Sequence, residues 1–149
     1  MTSKILVYGS YGYTGNLIAR FAKEDGVDVV LSGRNSDRLR AQAEGHGFDF
    51  VPADVSDADS IRGALRDVDV VIHCAGPFAH TYEAMARACF DTGTHYTDIT
   101  GEEKVYQGLW AMDDEAKRAG RRTTSCGVKR KQQTVGPSCL AYARQRAIL

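Results

Sequence analysis

The sequence predicts an α/β fold in three layers, a doubly wound parallel sheet covered by helices on both faces. Two observations predict it. Short apolar, β-branched runs alternate with segments of helical periodicity from Ile5 to Val128, and a β-α-β-α order builds a parallel sheet. Right-handed crossovers between such strands then favour the order 3-2-1-4-5-6.

Each element has its own signal. Ile5–Tyr8 is a compact apolar run that ends at glycine, as a buried parallel strand does. Leu17, Ile18, Phe21 and Ala22 give Thr14–Glu24 a helical face. Val27–Ser32 is a second strand ended by Gly33. Ser36 is placed to cap a helix over Asp37–Glu44, with Gly45 and Gly47 as its stop. Phe48–Pro52 reads as a third strand, and Asp57–Arg66 as a helix capped by Asp57 or Ser56. Val68–Ala75 is the most apolar run and the expected central fourth strand. A helix over Tyr82–Thr92 stops at Gly93, and His95–Ile99 follows as the fifth strand. One long helix is expected over Glu102–Ala119, ended by Gly120, before a weak sixth strand, Thr123–Val128.

Composition bounds the function classes. A chain of 149 residues with 43% hydrophobic and 26% charged residues is ordinary for one globular domain. Net charge is zero, so the total suggests no polyanionic partner. No run approaches the roughly 20 apolar residues of a membrane span, and the start is too soon interrupted to read as a signal peptide. Cys74, Cys89, Cys126 and Cys139 show no metal-site spacing and read as free thiols in a reducing cytoplasm. No metal site is expected.

The charge is unevenly placed. Residues 1–116 hold all nineteen acids and ten Lys/Arg, whereas 117–149 hold nine Lys/Arg and no acid. Such asymmetry marks either a nucleic-acid-binding tail or a sequence that has left its domain.

Gly9-Ser10-Tyr11-Gly12-Tyr13-Thr14-Gly15 follows the first strand and opens the first helix. A chain there must turn tightly, let backbone approach a pyrophosphate and let the helix pack close to the sheet, and each demand excludes a side chain. The helix N-terminus adds free N–H groups and a positive dipole end. Thr14 and Ser10 are candidate hydroxyl donors. The loop therefore predicts a Rossmann domain that binds a nicotinamide dinucleotide.

The second strand ends in Ser32-Gly33-Arg34-Asn35-Ser36 without the acid that would accept a ribose 2′-hydroxyl. Arg34 suits a 2′-phosphate instead, with Asn35 and Ser36 as further hydrogen-bonding groups. NADP(H) is the expected cofactor, with NAD(H) second. Asp54, after the third strand, either touches the adenine edge or caps the next helix. At the fourth strand end, Ala75 and Gly76 leave room for the cofactor ribose or nicotinamide, and Pro77 fixes the chain direction. Phe78 either walls the nicotinamide pocket or packs in the core.

None of the seven tyrosines has lysine four residues later, which argues against the classical short-chain dehydrogenase pair. His95, Tyr96, Asp98, Glu102 and Glu103 surround the fifth strand and could line a cleft. Glu102 and Glu103 equally suit a helix N-terminus. His46, His73 and His80 read as structural, and no catalytic residue is assigned.

Four segments together resemble the saccharopine dehydrogenase-like oxidoreductase family, including its trans-acting enoyl reductases. They are Tyr8–Gly15, Ser32–Asn35, Cys74–Phe78 and Gly93-Thr94-His95-Tyr96-Thr97-Asp98-Ile99-Thr100-Gly101-Glu102. The resemblance covers about residues 4–127. It implies a Rossmann cofactor domain and reductase or dehydrogenase chemistry on substrates from amino-acid adducts to lipid enoyl groups.

Two departures accompany the resemblance. Tyr82 stands where the family usually has glycine. Val128-Lys129-Arg130-Lys131 replaces the usual step into a second domain. The expected organisation is a dinucleotide-binding domain over 1–127 and a basic segment over 128–149, the remnant of, or entry to, an absent substrate domain. Nucleic-acid binding by that segment is the less favoured reading. The small-molecule substrate is unassigned, the alternative to an enzyme is a non-catalytic NADP(H) sensor, and an uncovered cleft would favour a homodimer.

Overall fold

A computed structural model describes residues 3–121 and 123–125. Six parallel strands form one sheet in the order β3-β2-β1-β4-β5-β6, as the crossover rule requires. They are β1 (Ile5–Tyr8), β2 (Val29–Gly33), β3 (Phe50–Pro52), β4 (Val70–His73), β5 (His95–Asp98) and β6 (Thr123–Ser125). Between them run α1 (Tyr13–Glu24), α2 (Ser36–His46), α3 (Ala58–Leu65), α4 (Phe78–Thr92), α5 (Glu103–Ala111) and α6 (Asp113–Arg118). The predicted segment 128–149, with Cys126 and Cys139, lies outside the described residues.

Alternation along the strands sorts the core into two layers. Ile5 and Val7 of β1, Leu31 of β2 and Ile72 of β4 pack with Ile18 and Ala22 of α1 and Leu39 of α2. Leu6 and Tyr8, Val71 and Tyr96 point the other way, onto Ile61 and Leu65 of α3, Met85 of α4 and Leu109 of α5. Both faces of β1 and β4 are covered, so their sequences read as continuous apolar runs rather than alternating ones. Tyr8 is fully buried, yet its phenol is used. It donates to the Ala53 carbonyl at 3.2 Å and accepts from Val55 N–H at 3.0 Å, tying β1 to the exit of β3.

Several element limits differ from the sequence reading, each for a local reason. The cap of α2 is Asn35, whose side chain accepts from Arg38 N–H at 2.9 Å, so Ser36 becomes the first helical residue. Gly45 lies inside α2, and only Gly47, at φ 78°, stops it in the left-handed region. Asp57, not Ser56, caps α3. Helix α4 begins at Phe78, four residues earlier than the apolar periodicity indicates, because Pro77 serves as its N-cap. The expected long helix is two: Met112, at φ −90° and ψ 0°, separates α5 from α6.

Tyr82 packs α4 against α5. Its ring lies against Gly108 of α5, and a Cβ at Gly108 would collide with the Tyr82 hydroxyl. Tyrosine on α4 is accommodated by the absence of a side chain on α5.

Candidate functional site

Parallel strands bring all their C-terminal ends to one edge. The tips of β1, β2, β4 and β5 place the sequence-predicted residues there together. Gly9 follows β1 at φ 79°, and a Cβ on it would lie 2.9 Å from both the backbone N and the Cβ of Ala75. The first glycine is therefore required twice, by its backbone angle and by contact with the β4–α4 loop. A Cβ on Gly12 would stand 3.2 Å from the Gly9 carbonyl oxygen. One on Gly15 would collide with that same oxygen and come within 2.7 Å of Ser10 Cα. The three glycines let the loop backbone pack on itself and against Ala75 at the start of α1. This helix has no side-chain cap and no acid in its first turn, so its N-terminal dipole is not already neutralised by its own carboxylates. Tyr13, 86% exposed, stands beside it, and Thr14 is half-buried.

Ser10 is placed differently from the expectation of a free hydroxyl donor. It is fully buried, and its hydroxyl donates to Gln42 Oε1 at 2.8 Å, while Gln42 Nε2 donates back to the Ser10 carbonyl at 2.8 Å. The same amide nitrogen reaches Asn16 Oδ1 at 3.1 Å. Ser10 thus anchors the glycine loop to α2, through a residue 32 positions away that the sequence reading missed. No local pattern in the sequence pairs these two positions.

At the tip of β2, Arg34, Asn35 and Ser36 are exposed. Among the described residues Arg34 enters no salt bridge; it acts electrostatically on Asp54, whose carboxyl is held below its ordinary range. The hydrogen bonds from Ser56 cause most of that lowering, and Arg34 adds to it. Asp54 Oδ1 accepts from both the N–H and the hydroxyl of Ser56, an Asx turn that leads into the Asp57 cap. Arg38 was not singled out from sequence. Its guanidinium carbon lies 4.6 Å from the centroid of the Tyr11 ring.

The β4–β5 side is chemically different. Gly76 and Pro77 are exposed and Ala75 is half-buried. Phe78, half-buried at the start of α4, meets the His73 ring edge-on at 5.3 Å, and its N–H donates to Glu102 Oε1 at 3.2 Å. Glu102 thereby spans from the start of α5 to the start of α4. His73 is fully buried, which pushes its pKa down to about 3, so the ring is neutral. Its Nε2 lies 2.9 Å from Thr81 Oγ1, and that hydroxyl donates to the Ala75 carbonyl at 3.1 Å. The buried Asp98 carboxylate accepts from Tyr96 OH at 2.7 Å and Thr100 N–H at 3.1 Å. Burial, followed by Asp98, raises the Cys74 thiol to about 12. His95 is half-buried, and Glu103 is exposed at the first position of α5.

The residues present fit a dinucleotide. The glycine loop packs backbone on backbone too closely for side chains, and the tip of β2 presents cations where an acid would select a free ribose hydroxyl. A groove of about 560 Å³, lined by Lys4, Phe48, Asp49 and Arg66 among others, lies at the opposite edge. Among the described residues, no helix is long and apolar enough to cross a membrane.

Residues 5–123 match the family model of the saccharopine dehydrogenase NADP-binding domain. The chain belongs to that family. The matching domain is described as NADP-binding. Among its relatives is an Arabidopsis thaliana protein named "probable mitochondrial saccharopine dehydrogenase-like oxidoreductase", 29% identical over 83% of this chain and 31% of its own length. A trans-acting enoyl reductase of Mycobacterium leprae is 30% identical over 66% of this chain and 25% of its own. The chain thus spans a quarter to a third of these relatives. Saccharopine dehydrogenase (L-Glu forming) from Saccharomyces cerevisiae shares the fold at TM-score 0.72 and 20% identity, over 85% of this chain and 27% of that one. Citrobacter triphenylmethane reductase in complex with NADP(H) does so at TM-score 0.66 and 17% identity, over 81% and 48%.

Proposed function

We propose that this domain presents NADP(H) for hydride transfer to or from a substrate approaching the tips of β4 and β5. The observation that carries the reading is the convergence on one sheet edge of the glycine loop, the exposed Arg34 and the exposed Gly76–Pro77 backbone. Bound there, the cofactor supplies the hydride chemistry, and the protein supplies position and electrostatics. The backbone of Gly9, Gly12 and Gly15 faces the pyrophosphate, with Tyr13 and Thr14 at the helix start. Arg34, Asn35 and Ser36 take the 2′-phosphate, and Asp54 borders the adenine side. Ala75, Gly76 and Pro77 admit the nicotinamide ribose, with Phe78 behind them. The substrate class stays open between the amino-acid and lipid chemistries after which the relatives are named.

Calorimetric titration of the chain with NADPH and NADH tests the assignment. NADPH is expected to bind more tightly. Absence of binding by either would refute the proposal, and a preference for NADH would refute the role of Arg34. Oxidation of NADPH by candidate carbonyl or enoyl substrates separates hydride transfer from cofactor storage. A cytoplasmic location is part of the proposal and rests on cysteine usage, Cys74 and Cys89 being free thiols. Recovery of the protein in an organelle fraction would overturn it.

A further inference from the structure

Tyr11 makes contacts that the cradle does not require. Its ring lies on the backbone of β2, where a Cβ at Gly33 would come within 2.7 Å of the ring. Its hydroxyl oxygen accepts from the N–H groups of Arg34 and Asn35, both at 3.1 Å. The opposite attachment is Arg38, its guanidinium on the ring at 4.6 Å from the centroid. One side chain of the glycine loop thus organises the entire tip of β2. A phenol that accepts twice has one bonding direction left, its own O–H. Among the described residues that proton reaches no acceptor. The two donated bonds polarise it and make it a stronger donor. The guanidinium groups of Arg34 and Arg38 carry the nearby positive charge, and neither enters a salt bridge among the described residues.

We infer that Tyr11 is a specificity-determining residue for the 2′-phosphate. Its hydroxyl donates to the phosphate while its ring holds Arg38 as a second cation beside Arg34. Because Tyr11 occupies the two β2-tip amides, the phosphate is read by side chains and not by those N–H groups. A dianionic acceptor between two guanidinium groups gains from this arrangement. A neutral ribose 2′-hydroxyl gains little. The inference rests on the NADP(H) reading of the site.

The test uses adenosine 2′,5′-bisphosphate and adenosine 5′-monophosphate, titrated by calorimetry into the whole chain. Unmodified protein is expected to prefer the bisphosphate, and equal affinities would sink the NADP(H) reading itself. Given that preference, Tyr11→Phe keeps the ring and its stacking on Arg38. It is expected to weaken the bisphosphate by about tenfold, the effect of one charge-assisted hydrogen bond, and to leave the monophosphate within about twofold. An unchanged bisphosphate affinity, or the same loss for both ligands, overturns the inference. Arg38→Gln, on an exposed face of α2, supplies the second arm should the first variant lose its fold by circular dichroism. Its expected signature is a bisphosphate-only loss of about fivefold that shrinks at high salt. A loss shared by both ligands, or no loss, counts against the assignment.

Discussion

At the tips of β1 and β2 the site offers exposed cations and glycine backbone, whereas beneath the exposed Gly76–Pro77 backbone the ends of β4 and β5 hold neutral or hydrogen-bonded side chains out of water. Arg34, Arg38 and Gly12 lie in solvent, while Gly9 is half-buried and Gly15 buried. His73, Tyr96 and Asp98 are fully buried, and their polar atoms are largely turned on one another or on nearby backbone. On the proposed reading the first half grips an anion, where charge works through solvent and binding is reversible. The second is built to hold a loop still. His73, through Thr81, fixes the carbonyl of Ala75, and Ala75 in turn touches Gly9. Recognition and rigidity are thus assigned to different strands, and they meet at one glycine.

The sharpest way to break this division is Gly15→Ala, because the new methyl would strike the backbone of the cradle. It is expected to cost about 3 kcal/mol of stability, as an overpacked rigid site does. NADPH affinity should fall at least about tenfold. Urea denaturation and calorimetry measure the two effects. Lost stability with unchanged binding would make the loop structural only. Arg34→Ala should weaken NADPH by about tenfold or more, equivalent to roughly 1.5–3 kcal/mol, while NADH changes less than about twofold. A parallel loss for both cofactors would contradict the grip ascribed to the β2 tip.

The other half is tested by pH. His73 has a folded pKa depressed to about 3 from the ordinary 6.5, so the unfolded chain takes up that proton first. Its contribution is neutral above the unfolded value and turns destabilising as pH falls from about 6.5 towards 3, by up to about 1.4 kcal/mol per unit. Denaturation midpoints measured from pH 7 to pH 5 should decline, and His73→Gln should flatten that decline. An identical slope in the variant would show that the ring is not sealed from water. The smallest expected effect is Asn35→Ala, which removes the α2 cap for about 1 kcal/mol in a thermal melt.

The strand order and the cradle were legible in sequence because each rests on local rules. Apolar runs mark strands buried on both faces, and glycine spacing marks backbone that must approach backbone. The cap of α2 was missed by one residue because Asn35 and Ser36 are both good caps, and the choice lies in the extended φ/ψ of Asn35. The break at Met112 has no proline or glycine to announce it. Gln42 and Arg38 were invisible for another reason. Their partners, Ser10 and Tyr11, are far along the chain, and only the packing of α2 beside α1 joins them. Ser10 itself was read as a ligand donor because a hydroxyl in a phosphate loop has two uses, and burial decides between them.

The Tyr82–Gly108 contact has a consequence for descent. The two positions compete for one volume, so bulk at 108 displaces the Tyr82 ring. A side chain at 108 requires the Tyr82 ring to turn away or to become smaller. Bulk at one of the two sites is therefore gained most readily when the other is small, which ties α4 and α5 together in what each can accept.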